Sequence, residues 1–170
     1  VVRYGFTDRL ALETGISFIQ RNFTLEVTDN NGLNEQLDYR IIAYEIPIRG
    51  LFYVQLSREI FMNVAAGAAV DLFPSDVATA NGVFQHETVR RSWIAPALET
   101  NVGFEYRTPD SGTFYFGGSF HRPFSNIYLS KIGAFEARLT DTSIEILGSY
   151  VTLDFRYFFH EDPIPRKPKN

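Results

Sequence analysis

The 170-residue chain predicts an all-β protein laid out as an up-and-down antiparallel meander. Three observations carry that prediction. Apolar and polar residues alternate with period two along almost the whole chain, and no segment keeps a 3.6-residue apolar stripe for three turns. Aromatic residues reach 15%, with 16 Phe and 9 Tyr, and aromatic side chains favour strands. The connections alternate between short and long, as in a meander with two unlike rims.

The elements follow in order. Residues 1–6 form a strand fragment, which the turn "TDR" (7–9) closes. Residues 10–27 place Leu10, Leu12, Ile16 and Phe18 on one side and Glu13 and Ser17 on the other. The long connection "TDNNGLNEQ" (28–36) contains Asn31-Gly32, suited to left-handed backbone. Residues 37–54 set Ile46, Ile48, Phe52 and Val54 against Glu45 and Arg49, and "QLSRE" (55–59) turns the chain. Residues 60–73 carry Ile60, Met62, Val64 and Val70 opposite Asn63, and "PSDVATANGVFQHETVR" (74–90) is the second long connection. Residues 91–107 alternate Ile94, Leu98, Val102, Phe104 and Tyr106 with Glu99, Asn101, Glu105 and Arg107. The turn "TPDSG" (108–112) has a turn-setting Pro-Asp and a Gly. Residues 113–128 oppose Phe114, Phe116 and Phe120 to His121, and a third long connection lies near 129–143. Residues 144–159 end in "VTLDFRYFF", with Val151, Leu153, Phe155, Tyr157 and Phe159 facing away from Thr152, Asp154 and Arg156. The tail 160–170, "HEDPIPRKPKN", has three prolines that cannot donate to a ladder, which predicts a flexible end.

Composition removes several function classes. The net charge is -4 with Lys and Arg scattered, so no basic face can follow a nucleic-acid backbone. Cysteine is absent, which excludes disulfides, Cys-ligated metal and a Cys nucleophile. No apolar run approaches the roughly 18 to 20 residues of a transmembrane helix. The mean hydropathy of -0.11 reads as soluble, but such averages are blind to barrels, whose strands alternate. The chain begins without Met and without a charged-then-apolar leader, which predicts a processed or partial product.

Which face meets water decides the function. Gly5, Gly15, Gly67, Gly103, Gly117 and Gly148 fall on the charged face, together with Ser17, Ala65, Ala69, Ala95, Ala97 and Ser119. A solvated surface gains nothing from glycine in strands. A narrow closed interior must instead alternate small and large side chains to fit its Glu and Arg residues. The charged face is therefore expected inside, although Gly50 and Gly118 fall on the other face. Outward Tyr4, Phe6, Phe52, Phe104, Tyr106, Phe114, Phe116, Phe155, Tyr157 and Phe159 are then expected as a lipid-facing aromatic girdle, most of it near the short-turn rim. A soluble carrier with the aromatic face inside is the alternative.

An interior charge network of Arg3, Glu13, Glu45, Arg49, Glu99, Glu105, Arg107, His121, Asp154 and Arg156 follows. Arg3, Glu13, Arg49, Glu105, Asp154 and Arg156, three of each sign, are expected to neutralise one another as a plug near the short turns. Glu45, Glu99 and His121 are expected as a higher layer. A narrow pore is the alternative, but an eight-stranded barrel encloses little more than its own side chains. No catalytic or metal residue is predicted, and no cofactor. Ser119 and His121 share a face but stand roughly 7 Å apart along one strand. His86 and His160 read as exposed histidines, and "TDNNG" lacks the acidic spacing of a calcium loop.

The segments "LALETGISFIQRNF", "YEIPIRGLFYV", "NVGFEYR" and "LDFRYFF" resemble the small outer-membrane barrels of the OmpA/OmpX-like superfamily, most of all its PorT-type branch. The resemblance covers about residues 1–159 and carries no catalytic signature. It implies an eight-stranded transmembrane β-barrel over 1–159 in a Gram-negative outer membrane, with long loops extracellular and the short turns and tail 160–170 periplasmic. The final strand looks like the C-terminal signal read by the outer-membrane assembly machinery. Six full strands and a fragment leave the first strand and most of the second to be found upstream of Val1, or in another chain. The implied function is a non-enzymatic structural or accessory subunit of an envelope complex, in contact with outer-membrane lipid and other envelope proteins. A lipid-modifying enzyme is the alternative within the same family.

Overall fold

The computed structural model describes residues 1–28, 34–80, 84–109, 111–134 and 142–159. Among these the chain forms strands in two antiparallel sheets and no helix. The larger sheet contains β1 (Val2–Gly5), β2 (Leu10–Thr14), β3 (Ser17–Thr28), β4 (Asn34–Gln55) and β5 (Ile60–Leu72). The chain then makes β6 (Val77–Ala80) and β7 (Phe84–Arg90) of the smaller sheet, and returns for β8 (Ile94–Thr108) and β9 (Gly112–Pro123). It leaves again for β10 (Tyr128–Ala134) and β11 (Thr142–Ile146) and closes on β12 (Tyr150–Phe158).

The larger sheet has the order β1-β2-β4-β5-β8-β9-β12, and β3 continues along β4 beyond β2. Pro47 explains the break between β2 and β3. Thr14 pairs with Ile48 and Ser17 with Glu45, so Gly15 lies opposite Pro47, a residue with no N–H to give. The Thr14 hydroxyl donates instead to the Pro47 carbonyl, at 2.7 Å.

The sheet curls with its charged face concave, because side chains on non-neighbouring strands meet across it. Arg3 on β1 reaches Glu105 on β8, and Arg156 on β12 reaches Glu13 on β2. The Arg3 guanidinium also stacks over Phe158 of β12, 4.3 Å from the ring centre. No ladder joins β12 to β1 among the described residues, so the curl is not closed by hydrogen bonds.

Burial follows the alternation. Glu13, Asn63, Glu105 and His121 are each 1% exposed, whereas Phe155, Leu153 and Phe159 are 73%, 83% and 81% exposed. All ten residues of the expected aromatic girdle lie on the exposed face. The glycine pattern has a direct cause: a Cβ on Gly103 would come within 2.4 Å of the Tyr115 hydroxyl, which lies across the interior side of that strand.

The smaller sheet corrects the expectation of long connections at 74–90 and 129–143. Its order is β11-β10-β7-β6, at the end opposite the short turns. Its inward positions are His86, Thr88 and Ser130, all buried. Polar inward residues hide the period-two apolar signal, so these strands read as loops. The predicted strand 113–128 accordingly stops at Pro123 and resumes at Tyr128 in the other sheet. The predicted strand 144–159 divides at Gly148, whose φ of 73° suits glycine and where a Cβ would meet Ile127 and Arg21. Ile41, Ala43, Phe73, Ala95, Ile127 and Tyr128 form the apolar core where the sheets meet. The tail 160–170, with His160, and the Asn31-Gly32 turn lie outside the described residues.

Candidate functional site

Alternation in the strands aims the charges at one another. Glu13 on β2 accepts from three guanidiniums: Arg3 at 2.7 and 3.0 Å, the Arg49 Nε at 2.7 Å and the Arg156 Nη1 at 2.9 Å. Glu105 on β8 accepts from Arg3 at 2.6 Å, from Asn63 at 2.9 Å and from Arg107 at 2.8 and 3.0 Å. Arg156 reaches Asp154 at 3.2 Å, and Asp154 also accepts from Asn101, Ser119 and Thr152. The six residues expected as a plug thus form one connected set, with Arg107 at its lower end. Desolvated charges persist only when paired and hydrogen-bonded, as these are.

Glu99 departs from its expected place. It is bonded to Arg49 and so belongs to the lower set as much as to the upper one. The upper group is built on His121, which has Asp71 3.0 Å from Nε2 and Glu45 2.9 Å from Nδ1. Tyr150 donates its hydroxyl to Glu45 and stacks on the imidazole at 4.7 Å. Arg21 lies 3.6 Å from Asp71 and over the Tyr150 ring.

All ten charged residues predicted for the interior therefore take part in its contacts. Sequence reasoning missed Asp71, Arg21, Tyr115 and Tyr150. Strand parity holds the signal for each: Asp71 stands at even spacing from Asn63, Arg21 from Glu13, Tyr115 from His121 and Tyr150 from Asp154.

A second polar cluster lies in the smaller sheet. His86 is fully buried, which corrects the expectation of an exposed loop histidine. Its Nε2 lies 2.7 Å from the Ser130 hydroxyl and 3.0 Å from that of Thr88, and Tyr39 packs on its ring at 4.6 Å. Burial holds the imidazole below its ordinary pKa. The contact resembles a nucleophile and base, but Nδ1 faces Thr79 at 3.3 Å rather than a carboxylate, and Ser130 is buried. Ser119, which shares a face with His121, is engaged instead by Asn101 and Asp154.

No protein-family model, curated protein or solved structure matches the chain.

Proposed function

We propose that this protein is a non-enzymatic integral β-barrel of a bacterial outer membrane, acting as a structural or accessory subunit of an envelope complex such as one for secretion or outer-membrane assembly. The inverted burial supports this reading most. A water-soluble sheet hides its apolar face, whereas here the charges are enclosed and the aromatic and aliphatic wall is exposed. A carrier with an aromatic interior is at odds with that arrangement. Closure also has a natural form: β1 and β12 both run toward the short turns, so an all-antiparallel wall needs an odd number of strands between them. One strand makes eight. The resemblance to the OmpA/OmpX-like barrels and their PorT-type branch points the same way. The interior ion pairs favour a plug over a pore, and the wall, the outer sheet and the tail are the surfaces offered to envelope partners.

Membrane fractionation tests the reading. The protein is expected in the outer-membrane fraction, resistant to salt and alkaline washes and released by detergent. Its gel mobility is expected to change on boiling, because a closed ladder has no edge for detergent to attack. Release by a salt wash would overturn the membrane assignment.

A further inference from the structure

We propose that Arg122 is a docking site for the anionic phosphate headgroup of a membrane lipid, on the outer wall where the larger sheet gives way to the smaller one. The inference rests on the outer-membrane reading and names one ligand of that wall.

Strand β9 turns Phe114, Phe116, Phe120 and Arg122 outward, and all four are exposed. Arg122 pairs with Leu98 of β8, and Phe120 pairs beside it with Val151 of β12, so exposed apolar side chains flank the guanidinium. Among the described residues, the outward positions of β5, β8 and β12, and of β4 from Tyr44 to Val54, hold no charged side chain. Arg122 is an isolated cation on an apolar wall. Nor has it a hydrogen-bond, ion-pair or aromatic partner among the described residues, because strand parity turns it away from the enclosed carboxylates.

Height makes that position tenable. Arg122 stands ten residues beyond Gly112 on the same strand. At a tilt of about 45° each residue climbs roughly 2.4 Å, which places Arg122 about 24 Å above the short turns, at the far edge of an apolar band about 25 Å tall. Exposed Trp93, just before β8, and exposed Phe124, just after β9, mark the same boundary. An arginine facing lipid is most costly at the midplane and nearly tolerated at the interface.

The chemistry selects the ligand. A guanidinium offers five N–H groups in a planar fork that matches two phosphate oxygens, and hydrocarbon satisfies none of them. The long side chain can rise along the wall to the headgroups while its stem stays on apolar surface. Phe120 and Phe124, two residues away on either side, offer acyl chains that surface. A headgroup with its own ammonium would set a second cation beside Arg122, so a net-anionic lipid fits best.

The test folds the full chain and its variants into phosphatidylcholine vesicles, where resistance to an alkaline wash reports the membrane reading by itself. The proteins are then moved to mixed micelles with equal phosphatidylglycerol and phosphatidylcholine, and native mass spectrometry counts the first lipid retained. The unmodified chain is expected to prefer phosphatidylglycerol by about fivefold, the advantage one basic side chain gives at an anionic surface. Arg122→Gln is expected to insert as fully and to abolish the preference, and Arg122→Lys to keep most of it. Lys131→Gln, on the smaller sheet, is expected to leave it unchanged, and inorganic phosphate is expected not to displace the lipid. An inserted chain without preference, a preference that survives Arg122→Gln, an equal loss in Lys131→Gln, or displacement by inorganic phosphate would overturn the site alone. A chain that fails to insert would overturn the membrane reading and the site with it.

Discussion

Phe155 and Thr152 stand three residues apart on β12 and face opposite ways, the first 73% exposed and the second partly buried beside Asp154. If the wall meets lipid, Phe155→Arg is expected to impair insertion, since an arginine facing lipid near the midplane costs about 2 to 4 kcal/mol. Thr152→Gln is expected to be tolerated. Folding yield into lipid vesicles measures both, and equal tolerance would mean that the exposed wall does not meet lipid. Inside, Arg49 donates to Glu13 and to Glu99. Arg49→Met leaves both carboxylates short of a partner, and breaking such a buried pair costs about 3 to 5 kcal/mol. Glu13→Gln together with Arg49→Met is expected to cost less than the sum of the single changes, by about 0.5 to 3 kcal/mol. Strict additivity in denaturant titrations would show that the two groups do not act as a pair.

At the scale of elements, the smaller sheet carries its own pH dependence. Burial lowers the His86 pKa in the folded protein, so the unfolded chain binds the proton more readily. The contribution of His86 to stability is therefore complete above its unfolded value of about 6.5. It declines as pH falls from there through the lower folded value. Amide hydrogen exchange of β7 and β10 should accelerate across that window while β4 and β5 stay protected. His86→Gln should flatten the response. An unchanged exchange rate between neutral and mildly acidic pH would show that the imidazole is not held neutral by its Ser130, Thr88 and Tyr39 surroundings.

For the whole molecule, the connected set from Arg107 through Glu105, Arg3, Glu13, Arg156 and Asp154 predicts an occluded interior. Side chains of a narrow barrel fill its cross-section and leave little water-filled area. In a planar bilayer the purified protein is expected to show no large steady conductance. A stable open channel of nanosiemens size would replace the plug with a pore. Enclosure also rests on small residues: the interior accepts Tyr115 because Gly103 and Gly117 lie beneath its ring.

The sequence by itself determined the strand class, the sidedness of the strands of the larger sheet and the charged residues that share its enclosed face, because side-chain direction in a strand depends only on parity. From "VTLDFRYFF" alone, Asp154 and Arg156 fall on one face and Phe155 and Tyr157 on the other, and the glycines mark the charged face as the crowded one. Only the tertiary structure decided which partners meet. Glu13 lies 36 residues from Arg49 and 143 from Arg156, and their contact depends on how far the sheet curls, which no local pattern encodes. The smaller sheet was equally beyond the sequence, since β7 and β10, which bury the polar side chains of His86, Thr88 and Ser130, have no clear apolar period to read. The ring packed on His86 is Tyr39, supplied by the distant strand β4 after the fold has formed.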